Sequence, residues 1–496
     1  MKNYLNPKAI GYLAICALLF STACERTDLP EKKLIKCYGD QPVLVTKPNP
    51  ASVPAGSPIS KENLDRWVIN TLNERQSFEW NMADLPTIWS ALQEKNHTLA
   101  VGYKPAGMKD VDPIIHQIDL KSGEWKQVHD ALIDLIISEL NKQIPGGIKW
   151  EDILVEDDPI LPILTIKLEN KEVLTSLYNL ENVRYLEPLD YWPSGNNYRV
   201  ASSSGCSGSS VSVNSADFST ITPGCLLPWN FNNLNIPSAW NLAQGSGQRI
   251  GVDFTYGTSA YTTCTHGTSM SGLAVGPRNA QNATTGVAYQ AGLHLIRACA
   301  DVVLDESAER TGVKNALVKM GDRTDVNIVS MSIGTPFGSS VLLDGCNYAN
   351  NKGKMLFAAA GTSTGLTSWW GVIYPAAYSV CNAVTGVNES GSKCATCHDG
   401  RQVDFTVPME RNANSDRNSL TLALSGNGPT YIGGSSAATA TAAGIAALIW
   451  SVKPGLTRSQ VFTCLRNTAQ FYPNLSSSKG WGNLNASAAV TMAQGL

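Results

Sequence analysis

The stretch Gly433 to Val452, GGSSAATATAAGIAALIWSV, decides how the rest of the chain is read. Two glycines make a turn, two serines follow, and a run of Ala, Thr and Gly then ends in Ile, Leu and Trp. Such a run suits a helix buried on every side, because small residues let neighbouring backbones come close. Ser436 falls at its N-terminal end, where unpaired backbone N–H groups and the positive end of the helix dipole favour developing negative charge. A hydroxyl there is well placed for nucleophilic attack. Two other readings fit the same letters: Ser435 or Ser436 as an ordinary N-cap, or a membrane span about twenty residues long. Four hydroxyl residues in the first half, Ser435, Ser436, Thr439 and Thr441, argue against the span. Whether Ser436 is a nucleophile rests on partners elsewhere in the chain.

At 496 residues the chain is too long for one ordinary domain. Its net charge of -3 carries no electrostatic footprint for nucleic acid. Lys2 and Lys8 precede an apolar stretch from Ala9 to Phe20 and the small residues Ser21, Thr22 and Ala23, so residues 1–24 read as a secretory signal. Cys24, directly after them, resembles the end of a bacterial lipobox, in which the cysteine is acylated. The mature protein is therefore expected outside the cytoplasm, either secreted or anchored through Cys24, with no other membrane contact. Of twelve cysteines, ten remain once Cys16 and Cys24 are set aside, a number that suits disulfides in an oxidising compartment. Nine lie between Cys206 and Cys464, so one of them is free or pairs with Cys37.

Residues 25–60 are polar and proline-containing and read as a tether. Residues 61–192 then show a helix around Leu64 to Leu72, a strand Thr98 to Tyr103, and an amphipathic helix Trp125 to Asn141. Strands Ile148 to Val155 and Ile160 to Leu168 follow around a turn at Glu156 to Pro159, then a helix Lys171 to Leu180 and a strand Val183 to Leu186. Strand-helix-strand-strand-helix-strand is a split βαβ order, which builds a four-stranded antiparallel sheet with two helices on one face. Residues 193–215, rich in Ser, Gly and Asn, form a linker open to proteases. From residue 216 to the end, β-branched strands alternate with helices: Arg249 to Phe254, Leu293 to Ala298, Val326 to Ile333, Met355 to Ala360 and Val380 to Val387, with helices beginning near His266, Glu306, Ser340 and Ser436. This predicts an α/β fold with a doubly wound parallel sheet, whose functional residues gather at the carboxyl ends of the strands.

Two candidates join Ser436. His266 opens a small-residue helix in Thr265-His266-Gly267-Thr268-Ser269, and Asp253 closes the strand Ile250-Gly251-Val252. A histidine so framed can act as a general base, and the order Asp, His, Ser is one of the known chain orders of a catalytic triad. From about Leu227 onward the chain resembles a subtilisin-like serine peptidase. His266-Gly267-Thr268 matches the family's histidine motif, and Gly434-Ser435-Ser436-Ala437-Ala438 its nucleophile motif Gly-Thr-Ser-Met-Ala. Gly286-Val287-Ala288, Ile328 to Gly334, Tyr374-Pro375-Ala376-Ala377 and Gly480 to Asn485 match connecting segments in the right order. The resemblance implies an endopeptidase working through an acyl-enzyme, with Ser332, Ile333, Gly334 and Ala359, Ala360, Gly361 binding an extended peptide or protein substrate. It also implies that residues 61–192, ending in LTSLYNLENVRYLEP at Leu174 to Pro188, form a propeptide that inhibits its own enzyme, with maturation cleavage in the linker.

Three departures from the family pattern stand out. Laying Ile250-Gly251-Val252 on the family strand without a gap puts Phe254 in the place of the aspartate, and a one-residue shift in a strand reverses a side chain's direction unless a bulge restores it. Asp253 and His266 are 13 residues apart, a shorter interval than the family uses. The family's oxyanion asparagine falls on Thr362, whose hydroxyl can donate but reaches less far. Together these keep a second reading open, a catalytically impaired relative that holds extended peptides by strand addition. No cofactor is expected. Cys394-Ala395-Thr396-Cys397-His398 has the c-type haem spacing, yet a single copy in a loop before the strand Gln402 to Val407 reads better as a disulfide or cysteine-rich turn. Cys264 is either a thiol near the site or half of a disulfide. Glu306, Asp322 and Asp325 could serve calcium, but lack the spacing of a metal loop and read as solvated charges.

Overall fold

The computed structural model describes residues 37–38, 41–52, 58–194, 209–255, 266–278, 282–300, 302–304, 306–362, 371–424 and 428–496, with side chains from residue 43 onward and excluding those of 251–255. The signal, Cys24 and most of the linker lie outside these residues.

The N-terminal unit contains helices α1 (Lys61–Arg75), α2 (Leu85–Leu92), α3 (Gly123–Asn141) and α4 (Lys171–Tyr178). Its strands are β1 (Thr98–Tyr103), β2 (Leu154–Asp157), β3 (Ile163–Lys167) and β4 (Val183–Pro188), in the antiparallel order β2-β3-β1-β4. Leu132, Leu135 and Ile136 of α3 are buried at helical spacing and share one core with Leu99 and Val101 of β1. That is the expected split βαβ order. Two local readings change. The expected strand Ile148 to Val155 is mostly a helical turn, Trp150–Ile153, in which Lys149 N–H donates to Asp152 Oδ2 at 2.9 Å, and only its end pairs with β3. Residues 43–52 do not hang free as a tether: Asn182 Oδ1 accepts from Val45 N–H at 2.8 Å, Asn179 Oδ1 accepts from Ala51 N–H at 2.7 Å, and Leu44 is buried. Two buried asparagine side chains supply the backbone partners that a sheet would otherwise provide.

The second unit holds an eight-stranded sheet. Its strands are β5 (Arg249–Thr255), β6 (Gly292–Arg297), β7 (Ile328–Met331), β8 (Met355–Ala359), β9 (Asn382–Asn388), β10 (Val403–Arg411), β11 (Asn414–Leu422) and β12 (Pro429–Ile432). The order is β6-β5-β7-β8-β9-β10-β11-β12, parallel through β10 and antiparallel beyond it. Helices α5 (His266–Val275), α6 (Ser307–Asp322), α7 (Ser340–Asn351), α8 (Gly434–Val452), α9 (Arg458–Asn467) and α10 (Ala486–Gln494) complete it. The antiparallel extension through β11 and β12 is absent from the sequence reading. The chain steps from β5 outward to β6 and then returns to β7 on the other side, so the switch point lies between β5 and β7, where open α/β sheets place ligands.

Helix α8 is the pivot. Ala437 to Trp450 are all buried, and the helix packs against α5, α10 and the sheet. A Cβ on Gly444 would lie 2.6 Å from Val287 Cβ, so the small residues do allow the close approach that their composition implied. Among the described residues α8 is also the helix long and apolar enough to cross a membrane, but 83% of its apolar window is covered by the rest of the protein. A core helix of a folded unit passes the same length test as a span.

The two units meet through buried charges. Arg184 donates to both oxygens of Asp344 at 2.9 and 2.8 Å, and Tyr185 Oη donates to Asp344 at 2.8 Å. Burial works against the Arg184 charge, yet Asp344 beside it holds the guanidinium above its ordinary pKa. Glu187 accepts from Ser340 N–H at 2.7 Å and Val341 N–H at 3.3 Å, placing a carboxylate at the positive end of α7. Lys314, fully buried in α6, pairs with Glu156 at 3.0 Å and with Asp158. Phe337 inserts between Trp192 and Phe78, with ring centroids 5.0 and 5.8 Å away, both edge to face.

Candidate active site

The site forms where the carboxyl ends of β7 and β8 meet the start of α8. Gly433 is the N-cap of α8, in extended conformation and without a side-chain cap bond. Ser436 is thus the third residue of the helix and not a cap. Its backbone N–H belongs to the first turn, where no intrahelical carbonyl is available. A cavity of about 360 Å³ is lined by Ser436 and His266 together with Ser332, Gly334, Gly361 and Thr362. Ile333 and Ala359 line it too. Ala360 does not: it is buried, its N–H donates to Val384 O at 2.9 Å, and its carbonyl accepts from Ile373 N–H at 3.0 Å. Both of its backbone groups are thus already paired, one with β9 and one with Ile373.

Ser332 Oγ donates to Ser436 O at 2.9 Å, which ties the end of β7 to the first turn of α8. Among the described residues no hydrogen bond joins Ser436 Oγ to His266. Such contacts often tighten only when substrate is bound. The Asp253 side chain lies outside the described residues, as do residues 256–265 with Cys264. The backbone of β5 is described, and its register against β6 breaks just after Asp253, where Phe254 and Thr255 both face Arg297. A two-against-one pairing of this kind is a β-bulge, which bends the strand and re-aims side chains.

The Gly334 edge is already in use. Gly334 N–H donates to Val302 O at 2.9 Å, and Gly334 O accepts from Leu304 N–H at 3.0 Å. These are ladder groups of the kind that an added strand uses. Nothing in the local sequence signals that pairing.

Thr362 is exposed at the cavity wall and held from two sides. On one side, Ser435 N–H donates to Thr362 Oγ1 at 3.2 Å, and the two hydroxyls lie 3.1 Å apart. On the other, Thr362 forms an antiparallel bridge with Cys397, and His398 N–H donates to Gly361 O at 2.9 Å. Cys394 and Cys397 are joined by a disulfide, so neither thiol is free for haem attachment in this structure. His398 Nδ1 donates to Gly371 O at 2.7 Å. Burial lowers its pKa, opposed by that carbonyl, and Nε2 is buried without a hydrogen-bond partner among the described residues.

The approach of Thr362 depends on Gly434. It has φ +73°, and a Cβ there would lie 2.6 Å from Thr362 Oγ1. Gly434→Ala is expected to cost about 1 to 3 kcal/mol through the unfavourable backbone and to push Thr362 out of the wall. The check is a lower Tm together with reduced turnover; a variant with wild-type Tm and turnover would show the approach to be unimportant.

The calcium candidates have other work. Asp322 accepts from Tyr348 Oη at 2.7 Å and pairs with Lys352, Asp325 pairs with Arg323 at 2.7 Å and Arg249 at 3.3 Å, and Glu306 is the N-cap of α6 in a capping box with Glu309. Among the described residues no group of three or more His, Cys, Asp or Glu is placed to hold a metal.

A helix-mouth serine and a histidine facing one cavity at the carboxyl ends of a doubly wound sheet define a serine-hydrolase type of site. The comparisons name the family. Residues 247–482 match the subtilase family model, and the chain belongs to the subtilase family of serine peptidases. Subtilisin of Bacillus pumilus is 31% identical over 229 residues, covering 45% of this chain and 77% of that protein. Thermitase of Thermoactinomyces vulgaris is 28% identical over 280 residues, 52% of this chain and 93% of thermitase. Among solved structures, MycP1 of the ESX-1 type VII secretion system is similar, with 18% identity, a TM-score of 0.47, and coverage of 57% of this chain and 88% of that one.

Proposed function

We propose that this peptidase is an extracytoplasmic serine endopeptidase made as a zymogen, in which Ser436 attacks the scissile carbonyl, His266 takes its proton, and Asp253 orients His266. In this reading Thr362 and the Ser436 N–H receive the oxyanion. The carrying observation is the shared cavity of Ser436, His266, Thr362 and the Ser332 to Gly334 segment. Asp253 is assigned over Phe254 from its place near the carboxyl end of β5, one residue before the two-against-one pairing of Phe254 and Thr255 with Arg297. The N-terminal unit serves as the inhibitory propeptide, and Trp192, packed on Phe337, brings its tail beside the cleft that Pro336 lines. The signal-like start and Cys24 support export with a lipid anchor.

The second reading, an impaired subtilase that holds peptides uncut, draws on Thr362 standing in the asparagine position. Fluorophosphonate labelling separates the two. Wild-type protein is expected to label and His266→Ala to lose labelling, since the histidine activates the serine. Equal labelling of both, or none of either, would sink the endopeptidase reading.

A further inference from the structure

Ser435, not Ser436, is the unusual member of the nucleophile turn. It is 1% exposed and, among the described residues, takes part in each hydrogen bond between α8 and the Gly361–Thr362 corner. Gly361 N–H donates to Ser435 Oγ at 3.0 Å, and Ser435 N–H donates to Thr362 Oγ1 at 3.2 Å. The remaining contact, 3.1 Å between the two hydroxyl oxygens, holds one proton with two possible owners. If Thr362 donated it, the Ser435 proton would be left in a buried position with no other acceptor among the described residues. An orphaned buried donor is costly. If Ser435 donates it, every buried group of the set is satisfied. Ser435 then accepts one bond and gives one, and Thr362 Oγ1 accepts two. The proton of Thr362 alone stays uncommitted, and Thr362 is the exposed member, on the wall of the cavity that holds Ser436.

We infer that Ser435 is a positioning residue: by filling both lone pairs of Thr362 Oγ1 it leaves the Thr362 hydroxyl only its donor direction, which makes a threonine serve where a longer amide would otherwise be needed. This rests on the oxyanion role proposed above for Thr362. A donor fixed before the reaction requires no reorganisation when charge develops. The hydroxyl chain Gly361 N–H to Ser435 to Thr362 also polarises each successive bond in one direction. The bridge from Thr362 to Cys397 and the His398 bond to Gly361 hold the corner from the far side, so Ser435 sets the hydroxyl's direction and the disulfide-closed loop its position.

The test is steady-state kinetics on a peptide anilide of the processed enzyme made from the full chain, with Ser435→Ala, Ser435→Thr, Thr362→Ala and the Ser435→Ala/Thr362→Ala pair. Thr362→Ala is expected to lower kcat about 10²-fold, the order of a lost oxyanion donor, with KM little changed. Ser435→Ala should lower kcat about tenfold or more, again with KM little changed. The double variant should be no worse than Thr362→Ala, because an aimed donor that is absent cannot be lost again. Ser435→Thr keeps the hydroxyl and should restore kcat, which a purely packing role would not predict. Additive losses in the double variant, a rise in KM alone, or a Ser435→Thr as impaired as Ser435→Ala would overturn the inference while leaving the endopeptidase reading intact. Wild-type protein with no Ser436-dependent turnover would overturn both.

Discussion

Precursor carrying Ser436→Ala is expected to remain a single chain, with residual turnover on the order of 10⁶ below the processed wild type, the usual cost of removing a serine nucleophile. The fold should survive, because Ser436 Oγ makes no hydrogen bond among the described residues and the serine sits half-buried in a first turn capped by Gly433. A nucleophile takes part in every step of an acyl transfer, so its loss cannot be offset by neighbouring groups. What is left is the stabilisation supplied by the oxyanion donors and by substrate binding. The measurement is twofold: the size of purified precursor over time, and anilide hydrolysis after the N-terminal unit has been removed by an added protease. Processing and turnover equal to wild type would mean that another residue carries the chemistry.

The second large effect is expected at the interface between the units. Asp344 is 1% exposed and receives both arms of Arg184 and the Tyr185 hydroxyl. Asp344→Ala leaves the guanidinium, whose side chain is 12% exposed, facing an emptied site. Removing one partner of a buried ion pair costs about 3 to 5 kcal/mol. The lower end applies here, because Asp112 still reaches Arg184 at 3.3 Å and is itself well exposed. About 3 kcal/mol corresponds to roughly 10²-fold weaker hold on the cleaved N-terminal unit. Dissociation of that unit from Asp344→Ala protein, followed by size exclusion and by the appearance of anilide hydrolysis, should be faster in that proportion. Unchanged dissociation would show that Phe337, Glu187 and Lys314 hold the unit without Asp344.

Much of this architecture is legible in local pattern. The small-residue run from Gly433 predicts a helix buried on all sides, and α8 covers Gly434–Val452 with nearly every residue inside. His266 lies in α5, and β1 spans Thr98–Tyr103 as the run of apolar residues indicated. Each of these features is set by residues within one or two turns of one another. One reading failed because the deciding partners were distant, another because a local contact was missed. Residues 43–52 look like a tether until Asn179 and Asn182, more than 120 positions away, supply their hydrogen bonds. Ile148 to Val155 has strand-like content, but Asp152, accepting from the Lys149 N–H three residues back, closes its middle into a helical turn.

The candidate site divides the same way. Ser436, His266 and the segments around Gly334 and Gly361 are recognisable from sequence, because a nucleophile turn and a histidine helix need small residues at fixed local spacing. Their convergence on one cavity follows from the parallel sheet that brings the ends of β7 and β8 to the mouth of α8. Only the tertiary structure decided that the backbone of Ala360 pairs with Val384 and Ile373, that Val302 to Leu304 occupies the Gly334 edge, and that Ser435 meets Thr362 across 73 positions of chain. The physical reason is that local patterns specify which face of an element is apolar and where it starts. Which hydroxyl donates to which, and which strand edge is already paired, depend on groups brought within about 3 Å by the whole fold.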